Sequence, residues 1–298
     1  MIKNKPRKGI ILAGGKGSRL YPLTFAMSKQ LMPIYDKPMI YYPLSTLLIS
    51  GIKEILVICN PFNLENFKNI LGNGDQWGIT IKYKSQERPD GIAQSFLLAE
   101  EFLEGSPLCL ILGDNLFYGD DLSHKLREAN NNKEEGTIFA YQVSDPSRYG
   151  IVDFDENFKA KNIEEKPNSP KSNYAITGIY FYSNTVIEIA KKLKPSDRGE
   201  LEITDINKIL LSNNNLKVQI FRRGMAWLDT GTFDSLHEAS AFIRTIEKRQ
   251  DLKIGCPEEI AWKLNYISDN ELKELAKNYS SSSYGKYLLR LIESKKNN

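Results

Sequence analysis

The stretch KGIILAGGKGSRL, Lys8 to Leu20, decides the fold. Gly9 to Ala13 is a short apolar run, which reads as a β-strand buried on both faces. Gly14, Gly15 and Gly17 follow at once, with Lys16 and Arg19 beside them. Glycine lets the backbone turn sharply and approach a ligand without a Cβ in the way. The N–H groups exposed in such a turn can cradle phosphate oxygens. Lys16 and Arg19 add positive charge, and a guanidinium grips phosphate in two places. The spacing fits neither GxxxxGK[ST] nor GxGxxG. The loop therefore reads as a phosphate site of a third kind, with a bare strand-to-helix turn as the alternative.

Outward from this loop, the first half of the chain alternates strand and helix. Pro33 and Pro38 make residues 24–38 an extended loop. Ile40, Leu44, Leu47 and Leu48 have helical spacing up to Gly51. Strands are expected at 54–59, 79–84 and 108–115, and helices at 64–71 and 92–104. Such alternation predicts an α/β, Rossmann-like, mostly parallel sheet with helices on both faces. Ligands then sit beyond the carboxyl ends of the strands. The second half is less regular: strands, with hairpins, over TIFAYQV, YGIVDFD, KAKNIEE and AITGIYFY, helices at 200–211 and 233–248, and short strands KVQIF and AWLD between them. From Lys253 the pattern is helical and charged. Its Ile260, Trp262, Tyr266, Tyr287, Leu288 and Leu291 call for burial. The division expected is an α/β body over 1–252 and a helical appendage over 253–298. Within the body, the nucleotide part covers about 8–143 and a β-rich sugar-phosphate part about 144–252.

The 298 residues carry 40 basic and 37 acidic side chains, a net charge of +3. That balance argues against a general nucleic-acid or membrane-surface binder. Cys59, Cys109 and Cys256 are scattered, which suits buried thiols in a reducing cytoplasm and suggests neither disulfides nor zinc. The start MIKNKPRK is polar and basic, a few extra polar residues at the beginning are expected to be disordered, and no apolar run is long enough for a signal peptide or a membrane span.

Asp114 follows an apolar strand and Gly113; Asp229, in AWLDTG, has the same setting. Two strand-end carboxylates converging over a parallel sheet are the usual protein share of a magnesium site. A helix cap is the alternative for Asp229. Asparagine at either position is expected to hold or raise stability, since removing one of two facing carboxylates relieves repulsion. Lys29 lies in the proline-bounded loop and either reaches the same phosphates or faces water. Glu165-Lys166 ends a strand, and Pro89-Asp90-Gly91 turns into a helix. There is no serine elbow and no Cys–His pair, which disfavours covalent catalysis.

LAGGKGSRL followed by SKQLMPIYDKPMIYYPL resembles the sugar-nucleotide pyrophosphorylases, a nucleotidyltransferase family. PDGIAQSF, LILGDNLFYG, RYGIVDFD, IEEKPNSPKSNYAITGIYFY, RGELEITDIN, AWLDTGTFDSL and CPEEIAW narrow the resemblance to the branch that uses dTTP and glucose 1-phosphate. These stretches extend over nearly the whole chain, from about Lys8 to about Leu291. The resemblance implies direct in-line attack of the sugar phosphate on the α-phosphorus, giving dTDP-glucose and pyrophosphate at the start of the route to dTDP-L-rhamnose. It also implies a set of roles. Leu12, Gly14, Gly15, Gly17, Ser18 and Arg19 would hold the nucleotide, with Gln30, Gln86, Pro89 and Gly91 around the base. Lys29 would neutralise the reacting phosphates, and Asp114 and Asp229 would bind Mg²⁺. Tyr149, Gly150, Glu165, Lys166 and Gly178 would hold the sugar phosphate. Arg19, Lys29, Asp114 and Lys166 would be the catalytic set. A homotetramer is implied too, with exposed apolar residues of the appendage seeking a partner. A second nucleotide-sugar site is implied at Tyr118, Gly119, Glu259 and Ile260, where dTDP-rhamnose would inhibit. Lys16 departs from the small residue frequent in the family. UTP in place of dTTP, or a silent binding homologue, are the competing readings.

Overall fold

The computed structural model describes residues 5–296. From the N-terminus, β1 (Lys8–Ala13) leads through a small hairpin, β2 (Pro33–Ile34) and β3 (Lys37–Pro38), to α1 (Tyr41–Ile49). Then come β4 (Glu54–Cys59), α2 (Leu64–Leu71), β5 (Thr80–Ser85), α3 (Gln94–Leu103), β6 (Leu108–Leu112), β7 (Asn115–Tyr118) and α4 (Leu122–Asn131). The second half runs β8 (Gly136–Gln142), β9 (Gly150–Phe154), β10 (Ala160–Glu165), β11 (Tyr174–Tyr182), α5 (Val186–Ala190), α6 (Ile203–Ser212), β12 (Leu216–Phe221), β13 (Ala226–Asp229) and α7 (Phe233–Gln250). The chain ends in α8 (Pro257–Lys263), α9 (Asp269–Asn278) and α10 (Ser283–Lys296).

β1 lies between β4 and β6, parallel to both, and β5 extends the parallel run beyond β4. Its side chains bury on both faces, as an interior parallel strand must. Ile11 and Ala13 join one core with α1, α2, α4 and the C-terminal helices, while Ile10 joins a second with α3, α5 and α6. β11 pairs antiparallel to β6 and carries β8 and β9, which gives the mixed, irregular half of the sheet. Among the described residues, no helix is long and apolar enough to cross a membrane.

Three readings are corrected. The strand expected over 108–115 stops at Leu112: the Gly113 N–H donates to the Leu12 carbonyl at 2.9 Å, and the chain crosses the end of β1 and leaves the sheet. Asn115–Tyr118 then forms a separate antiparallel ribbon with β13. Helices α4 and α5 were not anticipated; α4 buries only Leu122, Leu126 and Ala129 in an otherwise polar run. Residues 1–4 of the polar start lie outside the described residues, but Arg7 is buried and ordered by its bonds. Its Nη1 donates to the carbonyls of Leu108 and Tyr182, at 2.6 and 2.7 Å. The appendage does not leave its apolar residues exposed. Tyr284, Tyr287 and Leu288 are buried in the same core as α1 and Trp77, and the large apolar side chains that are exposed lie elsewhere, chiefly at Tyr21, Leu23, Phe25, Met27 and Phe62.

Candidate active site

The carboxyl ends of β1 and β6 open into a cleft of about 530 Å³. Arg19, Asp114, Tyr149, Gly150, Glu165, Lys166, Gly178 and Asp229, scattered over 210 positions, all line it. On one side stands the glycine loop. Gly17 takes a left-handed φ of 62°, so the chain can turn into the short 3-10 segment Ser18–Leu20 that presents Arg19. Space beside Gly15 is open, whereas a Cβ on Gly14 would collide with the Gln86 side chain. Gln86 is itself buried and donates to Gln94 at 2.6 Å, and Gln94 donates to Asp90 at 3.0 Å. Gln30 packs under Gly113, and Gly91 lies against the backbone of Leu201 at a φ of 108°. Leu12 is half-buried at the end of β1; Pro89, Lys16 and Ser18 are exposed.

Asp114 is the centre of a polar hub. Lys29 Nζ contacts its Oδ2 directly, so Lys29 is not a solvated lysine. Asn115 Nδ2 donates to Asp114 Oδ1 at 3.0 Å, while Asn115 Oδ1 accepts from Trp227 Nε1 at 2.6 Å and from the Gly178 N–H at 3.2 Å. A Cβ on Gly178 would strike this carboxamide, which explains why that strand position carries none. The Thr230 N–H and Oγ1 both donate to the Asp114 carbonyl, at 3.2 and 2.8 Å. They stitch the end of β13, and with it Asp229, beside Asp114. Asp229 therefore arrives through the β7–β13 ribbon and not on a parallel strand of the main sheet. It is not the cap of α7 either: Thr232 caps that helix, in a reciprocal pair with Ser235.

The two carboxylates are electrostatically unlike. Burial pushes Asp114 up, but Lys29 and the hydrogen bonds to it outweigh burial and hold it below the ordinary range. Burial also pushes Asp229 up, the charge of Asp114 adds to this, and Lys29, Arg19 and Arg148 offset only part, so Asp229 sits above the ordinary range. Arg148 reaches Asp229 only at 3.9 Å. The expectation that asparagine would act alike at both positions is thus corrected: Asp114 satisfies a half-buried cation, whereas Asp229 bears the repulsion. Two hard carboxylates side by side in the cleft, one of them raised in part by its neighbour, fit a divalent cation such as Mg²⁺. Among the described residues no group of three or more His, Cys, Asp and Glu could form an all-protein metal cage. Mg²⁺ does not need one, because it keeps water and substrate phosphates as ligands.

The other side of the cleft is set by β9 and β10. Gly150 pairs with Glu165, and the Lys166 N–H donates to the Tyr149 carbonyl at 3.0 Å. Lys166 has a φ of 41°, a left-handed conformation uncommon for a non-glycine residue. Thr204 Oγ1 donates to Glu165 Oε2, and the Arg198 guanidinium forks onto Glu202 at 2.9–3.1 Å and reaches Glu200 at 2.9 Å. Tyr149 leans on Trp227 with ring centroids 5.1 Å apart. Asn115, Arg148, Arg198, Glu202, Thr204 and Trp227 were missed as site residues. AWLD and RGELEITDIN drew attention to the right segments, but nothing local marks which of their side chains turn inward. The cleft is lined by no cysteine: burial pushes the Cys59 thiol up to about 11 and raises Cys109 and Cys256 as well, and all three are buried in the core.

Tyr118, Gly119, Glu259 and Ile260 are engaged with different neighbours. Tyr118 Oη donates to Gln250 at 3.1 Å, and Gly119 abuts Met225. On α8, Glu259 accepts from Tyr287 at 2.6 Å and pairs with Lys263 at 2.7 Å, while Ile260 packs against the core.

Comparison with known proteins agrees with this geometry. The nucleotidyl transferase family model matches residues 8–246. A glucose-1-phosphate thymidylyltransferase of Neisseria meningitidis is 54% identical over 286 residues, which cover 96% of this chain and 99% of that protein. One of Mycobacterium tuberculosis is 50% identical over 286 residues, with 96% and 99% covered. A solved structure from Bacillus anthracis, described as a glucose-1-phosphate thymidylyltransferase in complex with a sucrose, aligns with a TM-score of 0.74 and 42% identity, over 80% of this chain and 95% of that one. With the cleft, its paired aspartates and these similarities together, the chain belongs to the nucleotidyl transferase family, among the glucose-1-phosphate thymidylyltransferases.

Proposed function

We propose that the cleft joins dTTP to α-D-glucose 1-phosphate by one in-line displacement, giving dTDP-glucose and pyrophosphate. The observation that carries this reading is the arrangement of charge: Arg19 and the glycine loop at one side, Lys166 and Glu165 at the other, and Asp114, Asp229 and Lys29 between. In this reading Arg19 binds the leaving pyrophosphate and Lys29 sits at the reacting phosphates. Lys166 holds the incoming phosphate and Glu165, braced by Thr204, takes sugar hydroxyls. Gln30, Gln86 and Gly91 surround the base. Asp114 and Asp229 would hold Mg²⁺, which supplies charge neutralisation at the α-phosphate when bound. With no protein nucleophile, catalysis rests on positioning and electrostatics.

The reading extends to the rest of the chain. Buried free thiols support a reducing, cytoplasmic setting. The family resemblance supports a homotetramer, with 253–298 as its assembly and regulatory part and a second nucleotide-sugar site at Tyr118, Gly119, Glu259 and Ile260. Pyrophosphate release tests the central reaction. It is expected with dTTP and glucose 1-phosphate together and with neither alone. Faster release with UTP would assign the other base, and release from no pair would support a binding protein.

A further inference from the structure

Outside the cleft, four charges cluster where α7 meets the β2–β3 hairpin, two of them buried and two partly so. Glu247 Oε1 accepts from Lys37 Nζ at 2.8 Å and from the Ile254 N–H at 2.9 Å, and its Oε2 accepts from Lys253 Nζ at 2.9 Å. Asp36 pairs with Lys37 at 2.5 Å and contacts Lys253. The Lys37 and Glu247 side chains are only 2% and 3% exposed. This is a poor way to stabilise a fold. Glu247 lies in the last turn of α7, at the end of the helix dipole that disfavours a carboxylate. Apolar side chains of similar volume would serve stability as well or better than a buried ion pair. What the cluster does supply is a fixed geometry between two elements.

Both elements lead to the site. α7 begins at its Thr232 cap, three positions after Asp229, and its far end carries Glu247. The hairpin turns at Tyr35 and Asp36, Lys37 opens its return strand, and its base is closed by Met39 N–H to the Met32 carbonyl and Ile40 N–H to the Gln30 carbonyl, both 2.9 Å. At that base stand Gln30 and Lys29, with Lys29 on Asp114. The hairpin also meets α7 midway, where the Tyr35 N–H donates to Ser240 Oγ at 3.3 Å.

We propose that Glu247 and Lys37 are positioning residues for nucleotidyl transfer: their buried pair sets the hairpin that carries Lys29 in register with the helix that follows Asp229. This rests on the reading of the cleft given above. Neither residue touches substrate; both act through Lys29.

The test compares the full-length enzyme with Glu247→Gln and with the paired change Lys37→Met, Glu247→Met, each also in a Lys29→Met background. The paired change removes both charges and leaves Asp36 paired with Lys253, with only the Ile254 N–H losing an acceptor, so its Tm is expected within a few degrees of the unaltered protein. Its kcat should nonetheless fall by about tenfold or more, since small misplacements of a reacting constellation are costly. KM for dTTP and for glucose 1-phosphate should stay within about twofold. In the Lys29→Met background the same change should cost less than about twofold further, because the group it positions is gone. Hydrogen exchange should quicken at residues 30–40 and not along α7. Unchanged kcat in the paired variant would overturn the proposal, as would equal losses in both backgrounds. Unfolding of both Glu247→Gln and the paired variant would also overturn it, by making the cluster a stability element. If the unaltered protein turned nothing over, the reading of the cleft would fail and this inference with it; equal kcat in an active unaltered protein and the paired variant defeats this inference alone.

Discussion

The two sides of the cleft are built by different means. At the nucleotide side the functional residues follow their strands directly: the glycine loop after β1, Asp114 after β6. Local chain turns set them, and each acts largely on its own neighbour. At the side proposed for the sugar phosphate, Tyr149, Glu165, Lys166, Gly178 and Trp227 lie on or beside four strands, Arg198 in the segment before α6 and Thr204 in α6 itself. Antiparallel pairing sets these, and they act through a network in which Glu165 is held by Thr204 and approached by Arg198 at 3.5 Å. The aspartates stand together between the two sides, Asp114 after β6 and Asp229 at the end of the ribbon with β7. The difference teaches that binding duties should separate along the cleft while the chemistry depends on both.

The largest effect expected is at that junction. Asp114→Asn and Asp229→Asn should each lower kcat by roughly a hundredfold or more, the scale of one strong electrostatic contribution lost. Steady-state assays at saturating substrates check this. Near-normal kcat in either variant would break the claim that the sides meet at the aspartates.

A smaller change sharpens the separation. Lys166→Ala should raise KM for glucose 1-phosphate by about tenfold, as a charge-assisted phosphate contact is lost. Calorimetric titration should find dTTP affinity within about twofold of its original value. Collapse of dTTP binding instead would show the two sides to be one.

The smallest effect is on stability, and it has opposite sign at the two aspartates. In nucleotide-free protein near neutral pH, Asp229→Asn should raise Tm by a few degrees and Asp114→Asn should lower it, since the latter strands Lys29. The sign follows from linkage. The folded value of Asp229 lies above the ordinary 3.8, so its penalty is absent below that pH, grows as pH rises through the raised value and then stays constant. Asp114 lies below 3.8 when folded; its contribution is full above 3.8 and is lost as pH falls through the depressed value. The two Tm differences should therefore both shrink in acid. Thermal melts from acid to neutral pH test this, and parallel shifts of one sign would contradict it.

The same contrast explains what could be read from the chain. Buried parallel strands announce themselves as apolar runs, so β1, β4 and β6 and the residues just beyond them were legible. The break at Gly113 was not, because the apolar pattern continues through Leu116 and Phe117 into the ribbon with β13. Asp229 was legible as a strand-end carboxylate, but its route to the cleft depends on pairing with residues more than a hundred positions earlier. Arg198 looks like any polar-loop arginine until Glu202 and Glu165 are placed around it. The Lys37–Glu247 pair likewise joins residues 210 positions apart, and neither is unusual within its own segment.

The central claim is that this cleft works by placement of charge and offers no nucleophile of its own. The stereochemical course at the α-phosphorus tests it most directly, using dTTP made chiral by sulfur at that position. A single in-line attack by the sugar phosphate predicts inversion in the dTDP-glucose analogue. Retention would require two displacements through an enzyme-bound intermediate and would contradict the account.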